Sequence, residues 1–313
     1  MTEQGCSQTV TPRPVLNGIL VVAKAAGPTS HDIVALIRRL TGVRRVGHGG
    51  TLDPFATGVL PVFVGHATRL VEYHLGDDKE YRALVSFGAR STTDDLDGEL
   101  TATGTAPTRA QAEDALASFR GAIEQIPPDY SAVRVAGRKA YELARHGEKP
   151  ELKPRRVTIH RFELTDWDDE DPLRPVASVE VRCSAGTYIR ALARDLGEQL
   201  GSGAHLAALS RTASGPFTLD MARPLDDVRS ALADGRAAEL LLPMDTGLES
   251  YPVVTVGEED LTSLARGQQI RRGKDTTPEG LIRVLDESGR LVAIAHAGGG
   301  LIKPEKVFVN VAG

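Results

Sequence analysis

Apolar residues recur along this chain with two different spacings. Every second residue from Tyr81 to Phe87 is apolar or aromatic, which is typical of a β-strand with one buried face. Within residues 188–200, apolar residues instead return every three or four positions, and Gly201 follows the last of them. The pattern therefore predicts a strand in the first segment and a helix in the second.

The same criteria predict most of the remaining elements. Further strands are expected at residues 18–24, 59–64, 133–135, 157–164 and 176–183. Helices are expected after the N-cap residues Thr29 and Thr108 and over residues 67–75. Because strands outnumber helices and do not strictly alternate with them, the fold class is α+β, with a mixed, mostly antiparallel sheet.

The chain also divides along its length. Residues 1–14 are polar and contain two prolines, and we interpret them as a disordered tail. After a change in composition at residues 242–245, four short β-strands are predicted at residues 253–256, 282–285, 291–295 and 307–311. We therefore expect a large domain over residues 15–245 and a small C-terminal β domain over residues 248–313.

Charge is unevenly distributed. The net charge is −5, which by itself argues against a nucleic-acid partner. However, residues 131–161 contain nine basic and three acidic residues, and a second basic group consists of Arg38, Arg39, Arg44 and Arg45. Acidic residues gather at 94–99 and 166–171, where we expect solvated loops. The two basic groups are either anion-binding patches or ordinary solvated faces.

Cysteine content and apolar run lengths limit the cellular setting. Only Cys6 and Cys183 are present, so a disulfide framework is not expected and a reducing cytoplasm fits. The N-terminus lacks the apolar stretch of a secretory signal, and no apolar run reaches the roughly 20 residues of a membrane span. Neither a membrane association nor a zinc site is expected.

A glycine-rich loop over residues 47–61 contains the most distinctive carboxylate. Gly50 and its neighbouring glycines allow the backbone to approach a ligand closely, and Pro54 disfavours helical geometry at Asp53. Asp53 is thus either displayed for chemistry or merely caps a turn, as Asp before Pro often does.

The loop 47–61 resembles the G-H-x-G-x-L-D-P-x-A-x-G-x-L-P signature of the bacterial tRNA pseudouridine-55 synthases, the TruB-type family. Other segments resemble further motifs of that family and follow in the same order. They are residues 18–34, 79–82, 88–98, 126–132, 137–145, 183–190, 203–206 and 209–212. The resemblance runs from Gly18 to the C-terminus. It implies a pseudouridine synthase fold followed by a PUA-like RNA-binding domain.

The resemblance also implies roles for individual residues. Asp53 would be the catalytic carboxylate, Arg190 its cationic partner, and Tyr81 the aromatic that stacks on the target uracil. His48 would contact the RNA loop. The other substrate-binding residues implied are Tyr188, Leu209, Gly50 and Lys24.

The implied reaction converts uridine 55 in the T loop of tRNA to pseudouridine without redox change, so no cofactor is required. Asp53 would either add to ribose C1′ as a nucleophile or remove the 2′ hydrogen to give a glycal, and both routes stay open. The base must be flipped out of the T loop first. The implied partner is tRNA, held by its T stem-loop and acceptor end, with no guide RNA. Nothing in the sequence calls for more than a monomer, so a monomer is expected.

Three other functions remain to be weighed. A non-catalytic tRNA-binding or tRNA-folding protein could keep the same scaffold, although Asp53, Tyr81 and Arg190 argue against pure binding. A hydrolase could use Cys183, although its apolar, alternating strand favours a buried thiol. A guide-RNA-dependent synthase shares the catalytic loop, although residues 106–161 resemble the stand-alone bacterial form instead.

Overall fold

The computed structural model describes residues 16–273 and 277–309. The tail expected at residues 1–14, which includes Cys6, lies outside the described residues. The larger part of the chain contains fourteen strands, β1 to β14, at Gly18–Lys24, Val46–His48, Thr57–Val64, Lys79–Phe87, Ala89–Ser91, Leu100–Ala102, Gly121–Gln125, Arg134–Val135, Arg138–Lys139, Arg155–Asp168, Val176–Cys183, Ala204–Ser214, Phe217–Thr218 and Arg223–Pro224. Its helices, α1 to α6, are Ser30–Thr41, Val71–His74, Arg109–Leu116, Ala140–Arg145, Ile189–Gln199 and Leu225–Ala233.

One ten-stranded sheet organises this part, in the order β14-β1-β3-β12-β4-β11-β10-β7, with β2 beside β3 and β13 beside β12. The pairs β1 with β14 and β3 with β12 are parallel, and the other pairs are antiparallel. Helices α1, α3, α5 and α6 pack on one face and share its core with the central strands. This arrangement confirms the predicted mixed, mostly antiparallel sheet.

Several predicted elements match the structure. Helix α1 has the expected N-cap at Thr29 and ends at Gly42, and helix α5 buries Leu192 and Leu196. The segment predicted as a helix over 67–75 differs, because a 3₁₀ helix over Gly65–Leu70 precedes the single α-helical turn α2. Strand β12 was not predicted from the sequence, where its segment was noted only for short motifs. It nevertheless lies at the centre of the sheet.

The C-terminal part forms a second sheet, in the order β15-β17-β18-β19-β16, together with helix α7. Its elements are Val253–Val256 (β15), Glu258–Ala265 (α7), Ile270–Arg271 (β16), Gly280–Asp286 (β17), Leu291–Gly298 (β18) and Leu301–Val307 (β19). The strand predicted at 307–311 was wrong, because β19 ends at Val307; residues 310–313 lie outside the described residues. Pro304 broke the apolar pattern but is accommodated beside a bulge in β19, where Glu305 has no partner in the register with β18.

The second sheet has its own hydrophobic core and packs against the first part near α2. Arg69 donates a hydrogen bond of 2.5 Å to the carbonyl of Val307, and Lys306 donates one of 2.6 Å to the carbonyl of Arg69. Leu70 and Leu248 share a small apolar cluster with residues of the second sheet. The two parts are therefore in direct contact, and the boundary expected between residues 245 and 248 remains a prediction.

Candidate active site

Asp53 lies in the loop between β2 and β3, at the end of the sheet where β3, β12 and β4 lie side by side. Its carboxylate accepts a hydrogen bond of 2.9 Å from Nε of Arg190, and the Asp53 side chain is 34% exposed. The backbone turns sharply at this point, since the amide of Ala56 donates to the Asp53 carbonyl. The carboxylate is thus paired with a cation and is still accessible to a ligand.

Arg190 connects three segments around this carboxylate. Besides Asp53, its guanidinium donates 3.0 Å hydrogen bonds to the carbonyls of Thr93 and Tyr130, and it lies 3.4 Å from the carboxylate of Asp95. Arg190 occupies the first turn of α5 and is only 5% exposed. Every arm of its planar fork is occupied, so its orientation toward Asp53 is fixed.

The acidic residues near 94 correct an expectation from the sequence. They were expected in a solvated loop, but the side chain of Asp95 is only 6% exposed and faces Arg190. Asp94, whose φ is 63°, pairs with Arg194 one turn further along α5 at 2.9 Å. Burial raises the pKa of Asp94 to about 6 despite this pairing. Two ion pairs therefore dock this loop onto α5.

Lys24 and Gly50 support the backbone of the Asp53 loop. Lys24 is buried, and its Nζ donates hydrogen bonds to the carbonyls of Ala25, Pro54 and Ala56. Burial lowers the pKa of Lys24 to about 8, although the nearby charge of Asp53 acts in the opposite direction. Gly50 has a φ of 135°, which favours glycine. Both residues therefore stabilise the backbone conformation of the loop that carries Asp53.

Tyr81 lies on β4, opposite Val181 of β11 and Arg211 of β12. Burial raises the pKa of its hydroxyl, the positive charge of Arg211 opposes that rise, and the negative charge of Asp53 adds to it. Asp53 is therefore within electrostatic range of the phenol. The strand that carries Tyr81 and the loop that carries Asp53 are distant in sequence but come close together in the fold.

Tyr188 lies at the N-terminus of α5, where the side chain of Gln125 bonds both its amide, at 2.8 Å, and its carbonyl, at 3.0 Å. Burial raises the pKa of Tyr188, which also responds to the charges of Arg155, Asp53 and Arg190. Tyr188 thus lies at the start of α5, close to the Asp53–Arg190 ion pair.

His48 lies on β2 and Leu209 on β12, and both of these strands pair with β3. Nδ1 of His48 accepts a hydrogen bond from the amide of Gly50 at 3.3 Å, and its ring contacts His31 edge to face. Burial, followed by the charges of His31 and Arg211, lowers the pKa of His48, which favours the neutral imidazole. Leu209 is 8% exposed on β12 and belongs to the core.

Cys183 lies at the end of β11 and is 1% exposed. Its thiol donates a long hydrogen bond to the carbonyl of Lys79, and burial raises its pKa to about 11. A thiol that stays protonated at neutral pH is a poor nucleophile. The structure therefore argues against a Cys183-based hydrolase.

Gly58 provides a test of how tightly the loop is held. Its φ is 104°, and a Cβ atom at this position would collide with the carbonyl oxygen of Arg211. We expect Gly58→Ala to lower the free energy of unfolding by about 1–3 kcal/mol or more, as strained backbone does. Chemical denaturation measures this, with Gly47→Ala as the control because that site has open space. Equal stability of both variants would contradict the packing described.

Neither a metal cluster nor a membrane-spanning helix is found in the described part of the chain. No group of three or more potential metal ligands occurs among the described residues. No helix within residues 16–273 and 277–309 is long and apolar enough to cross a bilayer.

Three family models match consecutive parts of the chain. They are the TruB family pseudouridylate synthase N-terminal domain at residues 38–189, the tRNA pseudouridylate synthase B C-terminal domain at 190–249, and the pseudouridine synthase II TruB C-terminal domain at 252–308. The last match coincides with the second sheet.

Solved structures with the same fold include a Cbf5-Nop10-Gar1 complex, with a TM-score of 0.69 and 27% identity over 94% of this chain and 85% of that chain. A second is an H/ACA ribonucleoprotein bound to a substrate RNA containing 2′-deoxyuridine, with a TM-score of 0.69 and 26% identity over 93% of this chain and 85% of that one.

Curated relatives are more similar in sequence. The tRNA pseudouridine synthase B of Bradyrhizobium diazoefficiens is 43% identical, and the match covers 99% of this chain and 91% of the relative. The protein of the same name from a Synechococcus strain is 45% identical over 93% of this chain and 97% of the relative. The chain belongs to the TruB family of pseudouridylate synthases.

Proposed function

We propose that this protein isomerises uridine 55 in the T loop of tRNA to pseudouridine, with Asp53 as the catalytic carboxylate. The observation that carries the proposal is the ion pair between Asp53 and Arg190 at 2.9 Å, in which the arginine is buried and the carboxylate remains one-third exposed. The curated relatives named tRNA pseudouridine synthase B support the choice of substrate.

The reaction needs few groups. The bond from ribose C1′ to uracil N1 breaks, the base turns, and a bond from C1′ to C5 forms; C5 loses a proton and N1 gains one. The carboxylate of Asp53 either adds to C1′ and is later displaced by C5, or removes the 2′ hydrogen and later returns it. Both routes use the same exposed carboxylate, and neither requires a cofactor.

The other pocket residues take supporting roles in this proposal. Tyr81 stacks on the uracil and helps remove the C5 proton, Tyr188 and Leu209 line the base pocket, and His48 contacts the RNA loop. Flipping the uridine out of the T loop costs a few kcal/mol, which stacking on these aromatic rings offsets. Lys24 and Gly50 contribute by holding the loop that carries Asp53.

The basic segment 131–161 begins next to this site, because it directly follows Tyr130, whose carbonyl accepts a hydrogen bond from Arg190. Many of its cations are exposed, as expected for side chains that meet phosphates. They include Arg134, Arg138, Arg145, Lys149, Lys153, Arg155 and Arg156. We assign this segment to the T stem-loop backbone, and the second sheet, as a PUA-like domain, to the acceptor end of the tRNA.

Salt dependence tests the assignment of the basic segment. If about 6–10 phosphates are neutralised, affinity for transcribed tRNA falls about 10³- to 10⁵-fold between roughly 50 and 200 mM salt. Combining Lys153→Ala with Arg156→Ala should reduce the slope of log affinity against log salt by about one for each phosphate that no longer meets a cation. Arg174→Ala, at an exposed site elsewhere, is the control. A flat response of the unmodified protein would contradict the assignment.

The protein is proposed to work alone in the cytoplasm, as a monomer without guide RNA. The relatives of 43–45% identity carry the tRNA synthase name, whereas the ribonucleoprotein structures are 26–27% identical. Pseudouridine mapping in transcribed tRNA incubated with the pure protein alone tests this. We expect modification at uridine 55 and none in a tRNA carrying cytidine there. Tight binding without modification would support the tRNA-folding alternative and defeat the proposal.

A further inference from the structure

Arg211 on β12 carries a buried positive charge between the Asp53 loop and the strand of Tyr81. Its side chain is 1% exposed, although arginine is seldom fully buried. Its guanidinium donates hydrogen bonds to three backbone carbonyl oxygens. It also hydrogen-bonds to the hydroxyl of Tyr81, and this contact lowers the pKa of the phenol. Burying a charge is costly unless its donors are satisfied. The carbonyls that satisfy Arg211 belong to the segment around Asp53. This arrangement indicates that Arg211 holds that segment in place.

The three carbonyls lie on both sides of Asp53 in the sequence. Nη2 donates to Gly50 at 3.1 Å and Nη1 to Thr51 at 3.3 Å, before the aspartate. Nε donates to Val59 at 2.9 Å, after it. One rigid fork therefore ties the incoming and outgoing ends of the loop together. A lysine has a single charged nitrogen and could not reach all three positions with this geometry.

The sheet register places Arg211 between the two parts of the site. Its backbone lies opposite Gly58 in β3, which follows the Asp53 loop, and opposite Tyr81 in β4. The approach to Gly58 is close enough that any Cβ there would collide with the Arg211 backbone. Strand β12 thus fixes the distance between the carboxylate loop and the strand of the phenol.

We propose that Arg211 is a positioning residue of the isomerisation, which fixes the loop of Asp53 and places a positive charge beside Tyr81. This inference rests on the proposed function and deepens it, because it makes the positions of both Asp53 and Tyr81 depend on one buried cation, Arg211. Because Arg211 is only 1% exposed, we expect no contact between it and tRNA, and we expect its effect in the chemical step and not in the binding of tRNA.

The electrostatic part concerns Tyr81. The groups that act on its hydroxyl are Arg211 from β12, Cys183 from β11 and Asp53 from the loop. Burial raises the pKa of the phenol most, and only Arg211 lowers it, since the other two groups raise it further. Removing this cation therefore moves the ionisation of Tyr81, and any step that uses it, to higher pH.

Two substitutions separate the roles of geometry and charge. In Arg211→Met both are lost, and we expect the single-turnover rate to fall roughly 100-fold, which is the cost of misplacing a reacting group by about 1 Å. Its pH–rate profile should move to higher pH, and this displacement should disappear in a Tyr81→Phe background. In Arg211→Lys, which keeps the charge, we expect a smaller loss of rate and no displacement. The affinity for tRNA should stay within about twofold in both.

The controls make the result decisive. Arg174→Met, at an exposed position, should behave as the unmodified protein. If Arg211→Met does not fold, as judged by circular dichroism, Arg211→Lys carries the test alone. A wild-type rate in Arg211→Lys, an undisplaced profile in folded Arg211→Met, or equal losses of rate and affinity would each overturn the proposal. Failure of the unmodified protein to form pseudouridine would instead refute the proposed function.

Discussion

Asp53→Asn is expected to bind tRNA with nearly unchanged affinity and to form pseudouridine roughly 10⁴-fold more slowly, or not at all. The amide has almost the same shape, and its oxygen can still accept the hydrogen bond from Arg190 that now measures 2.9 Å. It can neither add to ribose C1′ nor remove a proton. Losses of this size are typical when an enzyme is deprived of its nucleophile or base.

Filter binding and single-turnover kinetics on transcribed tRNA separate these two effects. Asp97→Asn is a matched control, because Asp97 belongs to the neighbouring acidic segment and forms no part of the pocket described above. A fall in affinity that accounted for the whole loss of rate would indicate that Asp53 serves in binding alone.

Arg190→Met should lose both activity and stability. Without the guanidinium, Asp53 is no longer oriented, and we expect the rate to fall about 100-fold or more. The carboxylate of Asp95, with 6% of its side chain exposed, is left without its cation. Leaving one partner of a buried ion pair uncompensated costs about 3–5 kcal/mol in the free energy of unfolding.

A double-mutant cycle with Asp95→Asn distinguishes these contributions. Adding Asp95→Asn to Arg190→Met removes the unpaired charge and should restore part of the stability, but none of the activity. Urea denaturation measures the first and single-turnover kinetics the second. Strictly additive losses of stability would contradict the coupling between Arg190 and Asp95.

The sequence led to Asp53, Tyr81 and Arg190 for different reasons. The glycine-rich loop and the strand alternation around Tyr81 are local patterns, and both are present in the structure. The pairing of Arg190 with Asp53 joins residues far apart in the chain, so only the family resemblance could suggest it. The ion pair is observed, whereas the catalytic role of each residue remains a proposal.

Asp95 and Arg211 were not identified, because no local pattern marks a charged residue as buried. Charged side chains are exposed by default, and their burial here depends on partners from distant segments. Strand β12 was overlooked for a related reason. Its pairing with β4 is interrupted between Leu206 and Ala208 and again between Arg211 and Ala213, which disturbs the alternation along the strand.

The most direct test of the central claim follows the C5 proton itself. Transcribed tRNA with tritium at uracil C5 is incubated with excess protein. The tritium released into water is measured for the unmodified protein and for the Asp53→Asn variant. We predict release of the tritium from one uridine per tRNA by the unmodified protein and none by the variant. Comparable release by both proteins would contradict the assignment of Asp53 as the catalytic carboxylate.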